Sequence, residues 1–306
     1  MKVNNLEHCL LTLVIPSYNE AESLQHYIQE LLFIAEQENW AIILVDDGSK
    51  DNTHQVLEPH LSNPRFTLIK HKLNRGYGGA IKSGIRNVQT KYCVTIDADG
   101  QHQLADVISM LTNMKATDAD LIVGNRKGSN ASGWYRELGK SIIRRVAKIM
   151  MPLTIYDINS GMKMYDTSLA QQYINLCPDT MAFSDIITLI FIYKRNLVLE
   201  IPIKIKSRAA GVSTINIKTA FDTVMEILNI VTLFNPMRLF LPLSFSFLFI
   251  SFIWEVPIFL SGNGLSIGAL LGFITGLIFF LLGLIAEQLG NIRKIAVDEN
   301  NAHTDQ

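Results

Sequence analysis

The chain has 306 residues, of which 27 are Lys or Arg and 28 are Asp or Glu, so its formal net charge is −1. This balance excludes the strongly basic surface typical of nucleic-acid-binding proteins, and no nucleic-acid partner is expected. The mean hydropathy is positive, which is unusual for a soluble enzyme, and the apolar excess lies near the C-terminus.

The N-terminal residues and the cysteines indicate a cytosolic, reduced first domain. Residues 1–8 contain no apolar signal region, so we expect this domain to stay in the cytosol. Cys9, Cys93 and Cys177 are far apart, and two of them fall in apolar runs. They are expected to be buried thiols that form neither a disulfide nor a zinc site.

The first 95 residues alternate between apolar strands and amphipathic helices. Residues 10–15 predict a buried strand that Pro16 ends, and a helix with apolar positions up to residue 35 follows. Residues 41–45 predict a second buried strand. The pattern continues with a helix, a strand, a glycine-rich turn, a helix and a strand, at residues 52–57, 66–70, 74–79, 80–88 and 92–94.

Such alternation predicts an α/β fold with a mostly parallel sheet and helices on both faces. In sheets of this kind, ligands collect at the carboxyl ends of the strands. The polar side chains at those ends are Tyr18, Asp46, Asp47, Asp97 and Asp99.

Asp97, Asp99 and Gln101 follow the strand at residues 92–94. Alternate residues of an extended chain point the same way, so the two carboxylates and the amide can converge. Oxygen ligands suit Mg²⁺ or Mn²⁺, held partly by the phosphates of a substrate. An Asp-x-Asp pair is also common in surface turns, so the pair by itself does not establish a metal site.

A strand predicted at residues 121–124 brings Asn125 and Arg126 to the same edge. The pattern of residues 134–151 then predicts a basic amphipathic helix that includes Arg136 and Lys140. This helix either packs on the domain with a solvated face, or lies against an anionic membrane surface or lipid phosphate.

The C-terminal third indicates attachment to a membrane. A strand is predicted at residues 197–205, and apolar residues at helical spacing over 217–234 are expected near the membrane interface. Residues 239–260 and 265–286 are each long enough to cross a hydrocarbon core of roughly 30 Å. They predict a helical hairpin.

Flanking charges orient the predicted hairpin. Arg238 precedes it and Arg293 and Lys294 follow it, so the positive-inside rule places both ends in the cytoplasm. Glu255 is costly in lipid, so it either lies near the far interface, in contact with water, or faces a protein partner.

The C-terminal region has two further features, a stripe of glycines and a polar tail. Gly268, Gly272 and Gly276 form a stripe that could pack helices closely, which leaves a homo-oligomer possible. The polar tail at residues 298–306 is expected to be disordered.

Seven motifs occur in order, at residues 14–20, 45–53, 74–80, 97–102, 124–126, 157–163 and 208–213. Together they resemble glycosyltransferase family 2, and within it the dolichyl- or polyprenyl-phosphate sugar synthases, such as dolichol-phosphate mannose synthase. The resemblance covers roughly residues 10–214, and a hairpin anchor also occurs in one branch of the family. It implies a GT-A (Rossmann-like) nucleotide-sugar-binding domain with amphipathic interfacial helices and a two-helix transmembrane hairpin.

The implied parts are a cytoplasmic GT-A domain at 1–213, amphipathic juxtamembrane helices at 214–238, the hairpin at 239–286 and a cytoplasmic tail at 287–306. Motif by motif, the resemblance also implies roles for individual residues. The nucleotide sugar would be held by Pro16, Tyr18, Glu20, Asp46, Asp47, Asn74, Gly76, Asp97 and Ala98. Which of Asp46 and Asp47 points inward stays open.

The cation, Mg²⁺ or Mn²⁺, would be held by Asp97, Asp99 and Gln101. The implied catalytic residues are Asp99, Arg126, Asp157 and Arg208. The acceptor phosphate would contact Arg136, Lys140, Ser160, Lys163 and Ser213.

Some positions depart from the family pattern. Thr214 stands where the family often has a lysine, so another cation would have to neutralise the second phosphate. Met162 stands where the family usually has an aromatic residue, and Lys163 stands where it usually has an arginine. Asp185 stands where relatives have a glutamate, which has a longer side chain. Asp157 matches a family aspartate that lies near the acceptor and is sometimes proposed as the base. A phosphate acceptor is already ionised near neutral pH and needs little deprotonation. Asp157 therefore either abstracts a proton or orients the reacting groups.

The resemblance implies inverting transfer of a hexose, mannose or glucose, from a GDP- or UDP-sugar to polyprenyl phosphate at the cytoplasmic membrane face. The motif at 97–102 leans slightly towards the mannose-transferring relatives. Two alternatives stay open: transfer to another lipid or glycan acceptor, and a non-catalytic scaffold that binds a nucleotide sugar.

Overall fold

The computed structural model describes residues 9–126, 155–206, 236–262 and 264–302. These residues fall into two compact units, of which the first contains the ranges up to residue 206 and the second contains the rest. The basic helix predicted at 134–151 and the interfacial segment predicted at 217–234 lie outside the described residues.

One sheet of seven strands forms the centre of the first unit, in the order β3-β2-β1-β4-β6-β5-β7. All neighbouring strands are parallel except at β6, which is antiparallel to β4 and β5. The predicted mostly parallel sheet is therefore confirmed. The strands are β1 (Leu11–Ser17), β2 (Ala41–Asp46), β3 (Phe66–Lys70), β4 (Tyr92–Thr95), β5 (Leu121–Asn125), β6 (Lys163–Asp166) and β7 (Val198–Pro202).

Helices bury their apolar stripes against this sheet. In α1 the residues at 24, 27, 28, 31 and 35 are buried, as the periodicity predicts. Cys9, Cys93 and Cys177 are free and buried, which also agrees with the prediction. The helices of this unit are α1 (Ala21–Gln37), α2 (Thr53–Leu57), α3 (Tyr77–Arg86), α4 (Leu104–Thr117), α5 (Thr167–Tyr173) and α6 (Phe183–Tyr193).

Strand β1 does not stop at Pro16, as the sequence predicts, but continues to Ser17. The carbonyl of Val14 accepts a hydrogen bond from Ile96, whereas the carbonyl of Ser17 faces β2 and accepts from Asp47. Because alternate residues face the same neighbour, Pro16 faces the β4 side, where strand pairing has ended at Val14. The missing N–H of proline therefore costs no ladder hydrogen bond.

Strand β6 and helices α4, α5 and α6 are absent from the sequence prediction. β6 has four residues and begins with a lysine that is fully buried, so it lacks the apolar run of the other central strands. It inserts between β4 and β5, and this brings residues 157–163 beside the strand that precedes Asp97.

The second unit consists of α7 (Met237–Leu260) and α8 (Ile267–Ala302). Both contain stretches long and apolar enough to cross a membrane, at Met237–Leu260 and Ile267–Ile292, and most of their apolar side chains are exposed. The predicted hairpin is therefore present. Helix α8 continues into the tail that was expected to be disordered, because no Pro or Gly interrupts the chain between residues 291 and 302.

The glycine stripe on α8 packs against α7 inside the same hairpin. A Cβ on Gly272 would collide with Ser251 Oγ, and one on Gly276 would lie 2.7 Å from Leu248. Ser244 Oγ also donates to the Gly276 carbonyl at 2.8 Å. Two glycines of the stripe thus serve close packing within one chain.

Glu255 accepts hydrogen bonds from the backbone N–H of Ser266, at 3.1 and 3.4 Å to its two oxygens. Ser266 directly precedes α8, so the carboxylate of one helix caps the start of the other. Neither alternative drawn from the sequence foresaw this partner within the hairpin.

Candidate active site

The loop after β4 presents Asp97, Asp99 and Gln101, all partly exposed, at the carboxyl edge of the sheet. The loop is held by its own residues. The Asp97 N–H donates to His102 Nδ1 at 3.2 Å, and the Gln101 N–H donates to Asp99 Oδ1 at 3.1 Å. Gly100 adopts φ +71°, a conformation that favours glycine, so the loop can turn directly after Asp99.

The Asp97 carboxylate is confined on two sides. The Tyr77 hydroxyl donates to Asp97 Oδ1 at 3.2 Å. A Cβ on Gly161 would lie 2.8 Å from Asp97 Oδ2, so the Gly161 backbone lies close against the carboxylate. Tyr77 was not predicted from the sequence, where its one distinguishing feature is a bulky side chain enclosed by glycines in the turn at 74–79.

The donor set of this loop fits a hard divalent cation. Asp97, Asp99 and Gln101 supply oxygen atoms, and oxygen is the ligand that Mg²⁺ and Mn²⁺ prefer. Across the described ranges, no group of three or more His, Cys, Asp or Glu side chains could hold a metal ion. An ion at this edge would therefore complete its coordination with substrate phosphates or water, as Mg²⁺ commonly does.

The two adjacent carboxylates after β2 have different surroundings. Asp47 is engaged by three donors: His71 at 2.6 Å and the backbone N–H groups of Arg75 and Gly76, each at 2.9 Å. Asp46 Oδ1 accepts from the Ser49 N–H at 2.9 Å. Asp47 therefore shapes the glycine-rich turn.

Asp46 keeps capacity for a ligand. Within the part of the chain that the structure describes, Asp46 Oδ2 and Ser17 Oγ are buried side-chain atoms without a hydrogen-bond partner. These two residues are also register partners in the β1–β2 pairing. Two residues that pair at the edge of the sheet thus each have an unsatisfied buried polar atom, whereas most buried polar groups in proteins have a partner.

The remaining predicted nucleotide residues line the same strand ends. Pro16 lies in β1, and Tyr18 just after it is 40% exposed, so its ring is available for contact. Glu20 accepts from Ser23 Oγ at 2.7 Å. Asn74 Oδ1 accepts from the Gly76 N–H at 3.0 Å, and Ala98 is buried between the two aspartates.

Arg126 and Asp157 form a two-pronged ion pair at the end of β5. Arg126 Nε donates to Asp157 Oδ2 at 2.7 Å, and its terminal nitrogen donates to Oδ1 at 2.7 Å. Burial lowers the pKa of Arg126, but the hydrogen bonds and charge of Asp157 outweigh this and raise the pKa overall. The Asp157 N–H donates to the Glu200 carboxylate at 2.7 Å, which ties the pair to β7.

Lys163 and Ser160 are completely buried beneath this pair. Lys163 Nζ donates to the Ser160 carbonyl. Burial lowers the pKa of Lys163 to about 7, although the nearby charge of Asp185 opposes the change. The predicted contact of these two residues with an acceptor phosphate stays a prediction.

Arg136, Lys140, Arg208 and Ser213 lie outside the described residues. The last described residues before Arg208 contact the Asp97–Gln101 loop. Ile205 forms a β-bridge with His102, and the Lys206 N–H donates to the Gln101 carbonyl at 2.9 Å. Lys206 therefore lies beside the loop, two positions before Arg208.

Sequence profiles of two families match the chain. Glycosyl transferase family 2 matches residues 12–174, and the GtrB C-terminal hairpin matches residues 235–292. The second match and the two long apolar helices agree on a membrane-anchoring hairpin. The catalytic match covers more than half of the chain.

Curated relatives extend the likeness along the chain. Undecaprenyl-phosphate 4-deoxy-4-formamido-L-arabinose transferase of Sodalis glossinidius is 27% identical over 300 residues, covering 92% of this chain and 89% of the relative. Dolichyl-phosphate beta-glucosyltransferase of Saccharomyces cerevisiae is 28% identical over 250 residues, covering 72% and 74%.

Solved structures share the fold. Glucosyl-3-phosphoglycerate synthase from Mycobacterium tuberculosis, in complex with Mn²⁺, UDP-glucose and phosphoglyceric acid, superimposes with a TM-score of 0.57 at 14% identity. The alignment covers 74% of this chain and 79% of that one. The expected GT-A fold is confirmed. The chain therefore belongs to glycosyl transferase family 2 and is a glycosyltransferase.

Proposed function

We propose that the protein transfers a sugar from a nucleotide diphosphate sugar to a polyprenyl phosphate, with inversion at the anomeric carbon. The observation that carries this proposal is the likeness to the undecaprenyl-phosphate transferase over 92% of the chain, hairpin included. The dolichyl-phosphate relative names the same class of acceptor. A membrane hairpin suits such an acceptor because it attaches the enzyme to the membrane that contains the lipid.

The nucleoside would lie at the ends of β1 and β2. Pro16, Tyr18 and Glu20 border this region, and Asp46 Oδ2 offers an acceptor for an N–H or O–H of base or ribose. Asp47 would act indirectly, because its carboxylate is already committed to the turn that contains Asn74 and Gly76.

A divalent cation, Mg²⁺ or Mn²⁺, would be held by Asp97, Asp99 and Gln101. When bound, it would offset the negative charge that develops on the departing nucleotide diphosphate. Ala98 is buried between the two aspartates and would keep the loop against the sheet. The donor sugar would then face Arg126 and Asp157 at the end of β5, which β6 separates from β4.

Asp157 is better suited to orient than to abstract a proton. Both of its oxygens already accept from Arg126, and a phosphate monoester near neutral pH is already ionised. The pair would fix the orientation of the Arg126 guanidinium, a planar group whose geometry suits phosphate. Ser160 and Lys163 would support this pair from below.

The acceptor phosphate would approach from the membrane side. Arg208 and Ser213 follow Lys206 in sequence, and Arg136 and Lys140 belong to the predicted basic helix. In this arrangement both ends of the hairpin and the catalytic domain lie in the cytoplasm, since Arg238, Arg293 and Lys294 flank the apolar spans.

A donor-panel assay tests the proposal. Membranes that contain the full chain would receive labelled GDP- and UDP-sugars, a short polyprenyl phosphate and Mg²⁺ or Mn²⁺. The panel should include mannose, glucose and 4-deoxy-4-formamido-arabinose, because the two relatives act on different sugars. We expect label in an acid-labile lipid. Label only in diacylglycerol or glycan products would show that polyprenyl phosphate is not the acceptor. Nucleotide binding without sugar transfer would indicate a non-catalytic scaffold.

A matched pair of variants separates chemistry from folding. Asp99→Asn removes one carboxylate of the loop, and we expect turnover to fall about a hundredfold or more with membrane insertion unchanged. Asp118→Asn makes the same change at an exposed residue that ends α4 with φ +50°, a conformation that Asn also tolerates. That variant should retain full activity.

A further inference from the structure

Tyr77 begins α3 and directs its hydroxyl at a carboxylate from a different part of the chain. The Tyr77 hydroxyl donates to Asp97 Oδ1 at 3.2 Å, twenty residues further along. A tyrosine hydroxyl ordinarily keeps its proton near neutral pH, so the phenol is the donor and the carboxylate the acceptor.

The backbone around Tyr77 is held on both sides. A Cβ on Gly76 would lie 2.6 Å from the Asp179 carbonyl oxygen, and one on Gly78 would lie 2.5 Å from the Pro178 carbonyl oxygen. The Gly79 N–H donates to the Asp179 carbonyl at 3.1 Å. Since the turn is packed directly against residues 178–180, the direction of the Tyr77 side chain is fixed by backbone contacts.

A side-chain ion pair reinforces the same contact. Lys82 Nζ lies 2.6 Å from Asp179 Oδ1, one turn further along α3. Helix α3 is thus joined to residues 178–180 by both backbone and side chain, which leaves Tyr77 little freedom to move away from Asp97.

The opposite side of the carboxylate is closed by Gly161. A Cβ there would lie 2.8 Å from Asp97 Oδ2 and 3.2 Å from the Tyr77 hydroxyl oxygen. Asp97 is therefore confined between a phenol and a backbone that has no side chain. Neither of these two groups carries a formal charge.

We propose that Tyr77 is a positioning residue that fixes the Asp97 carboxylate for the divalent cation of the donor site. The inference rests on the proposed function, because it assigns Tyr77 to the cation that Asp97, Asp99 and Gln101 would hold. Carboxylate ligands are commonly oriented by such hydrogen bonds, and losing the donor costs about 10- to 100-fold in metal affinity.

Tyr77→Phe tests this directly, because it removes one hydroxyl and keeps the ring that fills the space. The full chain in detergent would be titrated with Mn²⁺ in the presence of GDP or UDP, and bound metal followed by electron paramagnetic resonance. We expect Mn²⁺ affinity to fall about tenfold. The metal concentration for half-maximal activity should rise equally, and kcat at saturating metal should return close to wild type.

Two further variants sharpen the test. Tyr173→Phe removes a hydroxyl that donates to Asn196 at 3.1 Å in the same domain, and it should leave Mn²⁺ affinity unchanged. Gly161→Ala pushes the same carboxylate from the other side, so it should weaken Mn²⁺ binding even if Tyr77→Phe folds poorly. Its effect should not add to that of Tyr77→Phe.

The outcomes distinguish the inference from the function it rests on. If wild type binds Mn²⁺ and Tyr77→Phe binds it equally well, the role of Tyr77 is wrong and the proposed function stands. If the wild-type protein binds no Mn²⁺ with either nucleotide but still transfers sugar, both the proposed cation site and the proposed role of Tyr77 are wrong. A loss in Tyr173→Phe as large as that in Tyr77→Phe would also overturn the inference, since the effect would then be a general one.

Discussion

Nδ1 of His71 lies 2.6 Å from Oδ1 of Asp47, and its other ring nitrogen lies 2.9 Å from Ser83 Oγ. One imidazole thus joins the end of β3 to the end of β2 and to helix α3. Because Asp47 also accepts from two backbone N–H groups of the glycine-rich turn, His71 lies at the base of the turn that carries Tyr77.

Replacement of His71 should destabilise the catalytic domain. His71→Gln cannot span both partners, and a buried carboxylate that loses a hydrogen bond costs about 1–3 kcal/mol. We expect a lower thermal midpoint and a several-fold higher KM for the donor, measured on the full chain in detergent. His26→Gln alters an exposed residue of α1 and should change neither. Equal midpoints for the two variants would contradict this role.

The two-pronged ion pair between Arg126 and Asp157 predicts that lysine cannot replace arginine at position 126. Lys lacks the planar pair of donors, so Arg126→Lys should lower kcat about tenfold or more, in line with the loss of one charge-assisted hydrogen bond of about 1.5 kcal/mol. Single-turnover rates with saturating donor and acceptor would measure the change.

Asp157→Asn separates the two roles left open for this aspartate. If Asp157 orients Arg126, the loss should be of similar size to that of Arg126→Lys, and the double variant should lose little more. A general base contributes about 10²- to 10⁴-fold. A fall towards the upper end of that range, with an altered pH profile, would show that Asp157 acts as the base.

The buried amine of Lys163 predicts a pH dependence of stability. Its pKa is lowered from 10.5 to about 7 in the folded chain, so between these values the unfolded chain binds more protons than the folded one. Stability from this group therefore rises with pH across that window, by up to about 1.4 kcal/mol per pH unit.

Lys163→Gln keeps a donor for the Ser160 carbonyl and removes the titration. Thermal midpoints of wild type and variant, measured from pH 7 to pH 9.5, should shift relative to one another in favour of wild type as pH rises. Lys115→Gln, an exposed change on α4, supplies the baseline. A constant difference between wild type and Lys163→Gln would show that Lys163 stays charged.

The capping contact in the hairpin predicts a graded response at Glu255. Glu255→Gln can still accept from the Ser266 N–H and should behave like wild type. Glu255→Leu leaves the start of α8 without its cap and should destabilise the hairpin by about 1 kcal/mol, the typical value of a helix cap. Unfolding by SDS titration would measure this. A more stable leucine variant would show that the cost of placing a carboxylate in lipid exceeds the benefit of the cap.

The sequence predicted those parts of the fold that local pattern determines. The strands before Asp46 and Asp97 are apolar runs, and helix α1 has a clear period, so each was recognisable. Strand β6 was not, because a four-residue segment beginning with a buried lysine becomes a strand only through the partners on both sides.

Some residues of the candidate site were likewise predictable from the sequence and others were not. Asp97, Asp99 and Gln101 could be selected because they follow a strand at alternate positions. Tyr77 could not, since its role depends on contacts with Gly161 and with residues 178–180. The different hydrogen-bond partners of Asp46 and Asp47 were likewise visible only in the structure, because both residues follow the same strand.

The packing of the turn at Gly76 and Gly78 against residues 178–180 affects the order in which the domain can be built during synthesis. The contact closes a loop of about one hundred residues, and β6 must also enter between two strands made earlier. Non-local contacts of this kind form slowly. On the ribosome, the first half of the domain can collapse early, but the contacts around Tyr77 and Asp97 stay incomplete until residues 157–185 have emerged, before the apolar helices are synthesised.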